Sequence, residues 1–120
     1  MASQGTKGLK RIILAFGYSC QGFRAAYEYE EAFRQEILLA VVTIPLAFYL
    51  ADSGLECALL ISSILLIMIV ELLNTGIEAI TDRVGTDHHE LSGRAKDIGS
   101  AAVLLSLVNA TVIWIGILVF

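Results

Sequence analysis

CALLISSILLIMIVELLNTGIEAI, residues 57–80, carries no charge from Cys57 to Val70 and then places Glu71, Asn74, Thr75 and Glu78 at spacings of three, four and seven. Those spacings put the four side chains on one face of a helix, and Asp82 extends the stripe by another turn. An apolar run of this length reads as a membrane-crossing helix. Ionisable groups at membrane depth are costly, normally face a protein interior or a watery cavity, and mark a functional site by default. This one stretch therefore points to a helical membrane protein and to the place where its chemistry lies.

Composition agrees. Of 120 residues, 57% are hydrophobic and 17% charged, and the mean hydropathy is +0.76; a soluble domain carries roughly 25% charged residues. No linker, repeat or low-complexity segment divides the chain, so residues 1–120 read as a single membrane domain. The net charge of −4 is unevenly spread. Lys7, Lys10, Arg11, Arg24 and Arg34 precede the first apolar run, and Arg83, Arg94 and Lys96 lie between the second and third. By the positive-inside rule the N-terminus and the 83–96 segment are cytoplasmic, while the turn at Asp52 and the C-terminus are outside. Three crossings satisfy that parity. Cys20 and Cys57 then fall on opposite sides, which argues against a disulfide, and neither has metal-ligand spacing. The first apolar run starts near Ile37, too late for a signal peptide, so no segment reads as removable.

Along the chain, Leu9, Ile12, Ile13, Phe16, Cys20, Phe23 and Tyr27 recur at helical spacing, and residues 10–33 read as an amphipathic helix on the cytoplasmic membrane face. Transmembrane helices are expected over about 34–51, 55–80 and 98–120. The apolar part of the first, residues 37–51, is shorter than the ~20 residues a crossing needs, and it contains Pro45. The second is longer than needed and carries Glu78 toward the cytoplasmic water boundary. In the third, Asn109 is the strongly polar residue, and Trp114 and Phe120 mark the outer interface. Between the second and third lies TDRVGTDHHELSGRAKDIGS, residues 81–100, read as a polar loop whose mixed charges suit a polyanionic ligand bound with metal.

Seven residues along a helix separate Glu71 from Glu78 by ~10 Å, too far to share a proton, so the two take different roles. The deeper Glu71 suits a general base acting on the hydroxyl of an apolar substrate. Glu78, near Asp82, suits a hard cation such as Mg²⁺, which binds through one or two carboxylates plus phosphate oxygens. Asn74 between them can orient either. A blander account makes these residues hydrogen-bonding glue between helices. No GxxxxGK[ST] motif occurs, so phosphates would need discrete cations: Arg11, Arg94, Lys96 and bound metal. His88 and His89 are adjacent, point to different faces, and read as solvated loop histidines rather than one zinc site.

The runs ELLNTGIEAITDRVG (71–85) and HELSGRAKDIGSAAV (89–103), with AFRQE (32–36), strongly resemble the small bacterial integral-membrane diacylglycerol kinases over nearly the whole chain. The resemblance implies a homotrimer of three-helix protomers, each with a surface helix, in the bacterial cytoplasmic (inner) membrane, with active sites formed between subunits. It implies transfer of the ATP γ-phosphoryl group to the free hydroxyl of diacylglycerol, giving phosphatidic acid, with Mg²⁺ as cofactor and no nucleic-acid partner. By motif, Glu71 resembles the catalytic base, and Glu30 and Glu78 the metal-holding carboxylates. Arg11, Tyr18, Glu30, Glu78, Asp87, His88, His89, Lys96 and Asp97 resemble the ATP-binding positions. Arg11, Arg34, Gln35, Glu36, Glu71, Asn74, Ser100 and Trp114 resemble the lipid-substrate positions, and Asp82 matches a further active-site position. Glu30 rests on the resemblance alone, because the residues offer Glu28, Glu30 and Glu31 without a way to choose. Gly76 stands where the motif usually carries alanine. Related kinases of the same fold act on undecaprenol, and the SGRAKDIGSAAV form resembles the diacylglycerol branch.

Two rival readings belong to other classes. A small proton- or cation-coupled transporter subunit would explain the intramembrane glutamates but leaves the charged 81–100 segment unused. A purely structural assembly subunit would need neither glutamate.

Overall fold

The computed structural model describes residues 7–85 and 89–120. Among them the chain forms α1 (Gly8–Tyr29), α2 (Glu31–Leu50), α3 (Gly54–Val84) and α4 (Glu90–Leu118). It divides into two compact units, Met1–Glu31 and Ala32–Phe120.

The first unit holds α1, which ends at Tyr29 rather than continuing to residue 33 as its periodicity suggests. Glu30 is extended (φ −120°, ψ 108°) and its N–H caps the Ala26 carbonyl at 2.9 Å. Glu31 then opens α2 with a carboxylate in its first turn, at the positive end of that helix's dipole.

The second unit holds α2, α3 and α4, each long and apolar enough to cross a membrane. Starting at Glu31 solves the length problem of the first crossing: the 20 residues of α2 span about 30 Å at ~1.5 Å per residue, matching a hydrocarbon core of ~30 Å. The turn into α3 is closed by reciprocal capping. Ser53 Oγ accepts from the Glu56 N–H at 3.1 Å, and Glu56 Oε1 accepts from the Asp52 N–H at 3.3 Å.

The expected 81–100 loop is mostly helix. α3 runs on to Val84 and α4 begins at Glu90. His89 is the N-cap of α4, its Nδ1 accepting from the Leu91 N–H at 3.0 Å, and Glu90 sits in the first turn with Arg94 Nη2 3.3 Å from its Oε1. Leu91, Arg94, Ala95 and Lys96 are good helix formers, and with a histidine nitrogen to cap them they wind up despite their charge.

The buried face of α3 is a single stripe: Leu60, Ser63, Ile64, Ile67, Glu71 and Asn74. On α4 it meets small residues, Gly99 against Asn74 and Ala110 in the core with Ile64 and Ile67, the residue class that lets membrane helices approach closely; α2 adds Ala40 to that core and buries Phe33 and Ala47. Ala40, Ile64, Ile67 and Ala110 form the apolar core, with Ile44, Met68 and Trp114 packed on it. Large apolar side chains such as Leu38, Ile69, Leu73, Leu105 and Val112 point outward, as a lipid-facing surface requires. Trp114, four residues before the end of α4, packs on the core. Its Nε1–H donates to Ser63 Oγ at 3.0 Å, and the Ser63 hydroxyl in turn donates a hydrogen bond to the Leu60 carbonyl at 2.7 Å. In hydrocarbon an indole N–H finds no acceptor outside the protein, so it turns to the hydroxyl within.

Candidate active site

At one end of α3 the buried stripe changes character. Burial falls along it from Glu71 (5% exposed) and Asn74 (7%), through half-buried Glu78, to exposed Asp82. A 31-residue helix is about 46 Å long at ~1.5 Å per residue, well beyond a ~30 Å hydrocarbon core. The stripe therefore leads from apolar core to water along one continuous helix.

Each group on the stripe has a defined neighbour. Glu71 faces the carboxyl of Glu36 on α2, and Glu36 Oε1 is buried with no donor. Asn74 Nδ2 donates to Glu78 Oε1 at 3.1 Å, while its Oδ1 is buried without a partner and lies against Gly99 of α4. Asp82 Oδ1 is 2.7 Å from Lys96 Nζ, joining α3 to α4, and the Glu78 charge also acts on Lys96.

Glu36, Glu71, Asn74, Glu78, Asp82 and Lys96 are thus brought together. Asp97 is exposed and lines a shallow recess with His89, Glu90, Gly93 and Arg94. Ser100 and Gln35 are exposed and Arg34 is half-buried. Trp114 sits among Ile64, Ile67 and Ala110, on the apolar part of the bundle. Arg11 and Tyr18 on α1 are exposed, and Glu30 is the half-buried residue that ends that helix. Asp87 and His88 lie outside the described residues. No signal in the sequence marks that Glu36 faces Glu71, or that Gly99 receives Asn74; both are contacts between helices that no single-helix periodicity encodes.

Among the described residues no three His, Cys, Asp or Glu side chains converge as a cation cage. The donor set nonetheless fits Mg²⁺, which takes few protein carboxylates and completes its shell with water and phosphate oxygens. With Oε1 of Glu78 engaged by Asn74, its other oxygen can serve such an ion.

The profile of the prokaryotic diacylglycerol kinases matches residues 17–118. The chain belongs to that family. It is 50% identical to the diacylglycerol kinase of Haemophilus influenzae over 115 residues, 96% of this chain and 98% of the relative. The diacylglycerol kinase of Pseudomonas aeruginosa is 55% identical over 115 residues, covering 96% and 94% of the two chains. The one from Helicobacter pylori strain 26695 is 46% identical over 108 residues, covering 90% and 84%. The prokaryotic diacylglycerol kinase profile covers α2, α3 and α4 in full and α1 from Gly17 onward, so it includes every residue of the polar stripe.

Proposed function

We propose that this lipid kinase transfers the γ-phosphoryl group of Mg-ATP to the hydroxyl of diacylglycerol, giving phosphatidic acid and ADP. The observation that carries the reading is the polar stripe on α3, graded from buried Glu71 to exposed Asp82, on a helix apolar enough to cross a membrane. Such a gradient matches a reaction between a membrane-dissolved alcohol and a water-borne polyphosphate.

Glu71 accepts the hydroxyl proton as the alcohol oxygen bonds to the γ-phosphorus and the bond to the ADP oxygen breaks; water then takes the proton from Glu71. Asn74, through its hydrogen bond, orients Glu78, and Glu78 and Glu30 are the carboxylates that would hold Mg²⁺. The ion, when bound, offsets charge on the phosphate oxygens. Arg11 and Lys96 pair with phosphates, and Tyr18, Asp87, His88, His89 and Asp97 hold the rest of the nucleotide. Arg34, Gln35, Glu36, Ser100 and Trp114 orient the lipid, with Arg11, Glu71 and Asn74. A three-helix bundle this thin leaves most of its surface exposed, so a homotrimer, with α1 lying on the cytoplasmic face of the bacterial inner membrane, completes the site. The N-terminus is cytoplasmic and the C-terminus outside.

Purified Glu71→Gln protein given diacylglycerol and labelled ATP should lose at least about 100-fold in turnover, the scale of general-base catalysis. Undiminished phosphatidic acid formation would exclude the base assignment. Undecaprenol offered beside diacylglycerol should be the poorer acceptor.

A further inference from the structure

We infer that Gly99 is a positioning residue for the metal-binding carboxylate, acting through Asn74. The inference rests on the metal role proposed for Glu78. Gly99 is buried on α4, and a Cβ added to it would collide with Asn74 Oδ1 and come within 3.1 Å of Asn74 Cγ. By contrast, a Cβ at Gly93 or Gly116 of the same helix would meet nothing within 4 Å. Gly99 is where α4 yields its surface to a side chain of α3.

That side chain is under constraint at both ends. A carboxamide is planar, so seating Oδ1 against Gly99 fixes the direction of Nδ2, which donates to Glu78 Oε1 at 3.1 Å. The Glu78 carboxylate also decides which end points where, because a reversed amide would set its oxygen against that carboxylate. Oδ1 is left buried with no conventional donor. Simple packing glue would not require an orphaned oxygen; an amide held to present its N–H₂ to Glu78 does. Further along α4, buried Ser106 and Ala110 continue its face toward α3, Ala110 in the core with Ile64 and Ile67, so α4 cannot easily retreat from an added methyl group. The amide would rotate instead, and Glu78 would lose its donor.

The test uses full-length protein in detergent or nanodiscs. Mn²⁺ binding is read by electron paramagnetic resonance with a non-hydrolysable ATP analogue, alongside the Mg²⁺ half-saturation for turnover. Outer residues that orient a metal ligand typically change affinity about 10- to 100-fold, and Gly99→Ala should weaken Mn²⁺ binding by at least about tenfold on that scale. Gly116→Ala should leave it unchanged. In an Asn74→Ala background, Gly99→Ala should cost nothing further, because the path runs through the amide. Should Gly99→Ala alone fail to assemble, the double variant, with the amide gone, should assemble; failure of both overturns the inference. Wild-type Mn²⁺ affinity in Gly99→Ala, with Glu78→Gln weakened, overturns it while sparing the metal role. Unchanged affinity in Glu78→Gln removes the metal role and the inference together.

Discussion

Glu36 on α2 and Glu71 on α3 present their carboxyl groups to one another, with no donor for the buried Glu36 oxygen. They share a side-chain hydrogen bond, which two carboxyls make only when one of them holds a proton, and their charges repel when neither does; an amide at position 36 would donate without that proton. Glu36→Gln should therefore raise the melting temperature, by about 4 °C or more if the gain is ~1 kcal/mol, while activity falls because Glu71 is then held permanently by a donor. A lower melting temperature would mean that the pair stabilises the fold as it stands.

The indole of Trp114 depends on Ser63 for its acceptor at 3.0 Å. Ser63→Ala should cost about 1 kcal/mol, within the range measured for hydrogen bonds between membrane helices, and Trp114 emission should shift as its N–H loses its partner. Thermal denaturation in detergent reads the first effect and fluorescence the second. No change in either would show the bond to be dispensable.

Ser53 caps α3 at the end far from the stripe. Replacing it with alanine should remove about 1 kcal/mol of stability, the usual value of an N-cap side chain, and leave turnover below the melting point as in the wild type. A loss of turnover without a loss of stability would tie this turn to the chemistry.

Lys96 and Asp82 form an ion pair whose side chains are 45% and 58% exposed, a setting in which pairing contributes little to folding. Lys96→Met should leave the melting temperature close to wild type and raise the KM for ATP roughly tenfold, as loss of a hydrogen bond from a charged donor to phosphate would. A collapse of stability with unchanged KM would reverse the roles assigned here.

How much of this the sequence disclosed follows from what periodicity can encode. The stripe from Glu71 to Asp82 was legible because one helix face is a matter of spacing, and the three apolar helices because lipid demands composition and length. The 81–100 segment was misread because its charges resemble a loop, whereas helix formers behind a His89 cap prevail. The end of α1 at Glu30 was hidden because YEYEEAF contains no helix breaker. The facing of Glu36 to Glu71, of Asn74 to Gly99 and of Trp114 to Ser63 all depend on how separate helices rotate about their axes. Spacing within any one of them is silent on that.

α3 is an uninterrupted helix of 31 residues, and it carries both the apolar core contacts and the whole graded stripe. The protein thus owns a rigid gauge of membrane thickness. If the Asp52–Glu56 turn sits at one interface, the depth at which Glu78 emerges at the other follows the thickness of the lipid. Thinner bilayers would lift Glu71 toward water and thicker ones would submerge Glu78, and mismatch of this kind is resolved by tilt or local deformation at a modest cost per ångström. Turnover measured across phosphatidylcholine bilayers of increasing acyl length should pass through a maximum, making the host membrane itself a determinant of catalytic rate.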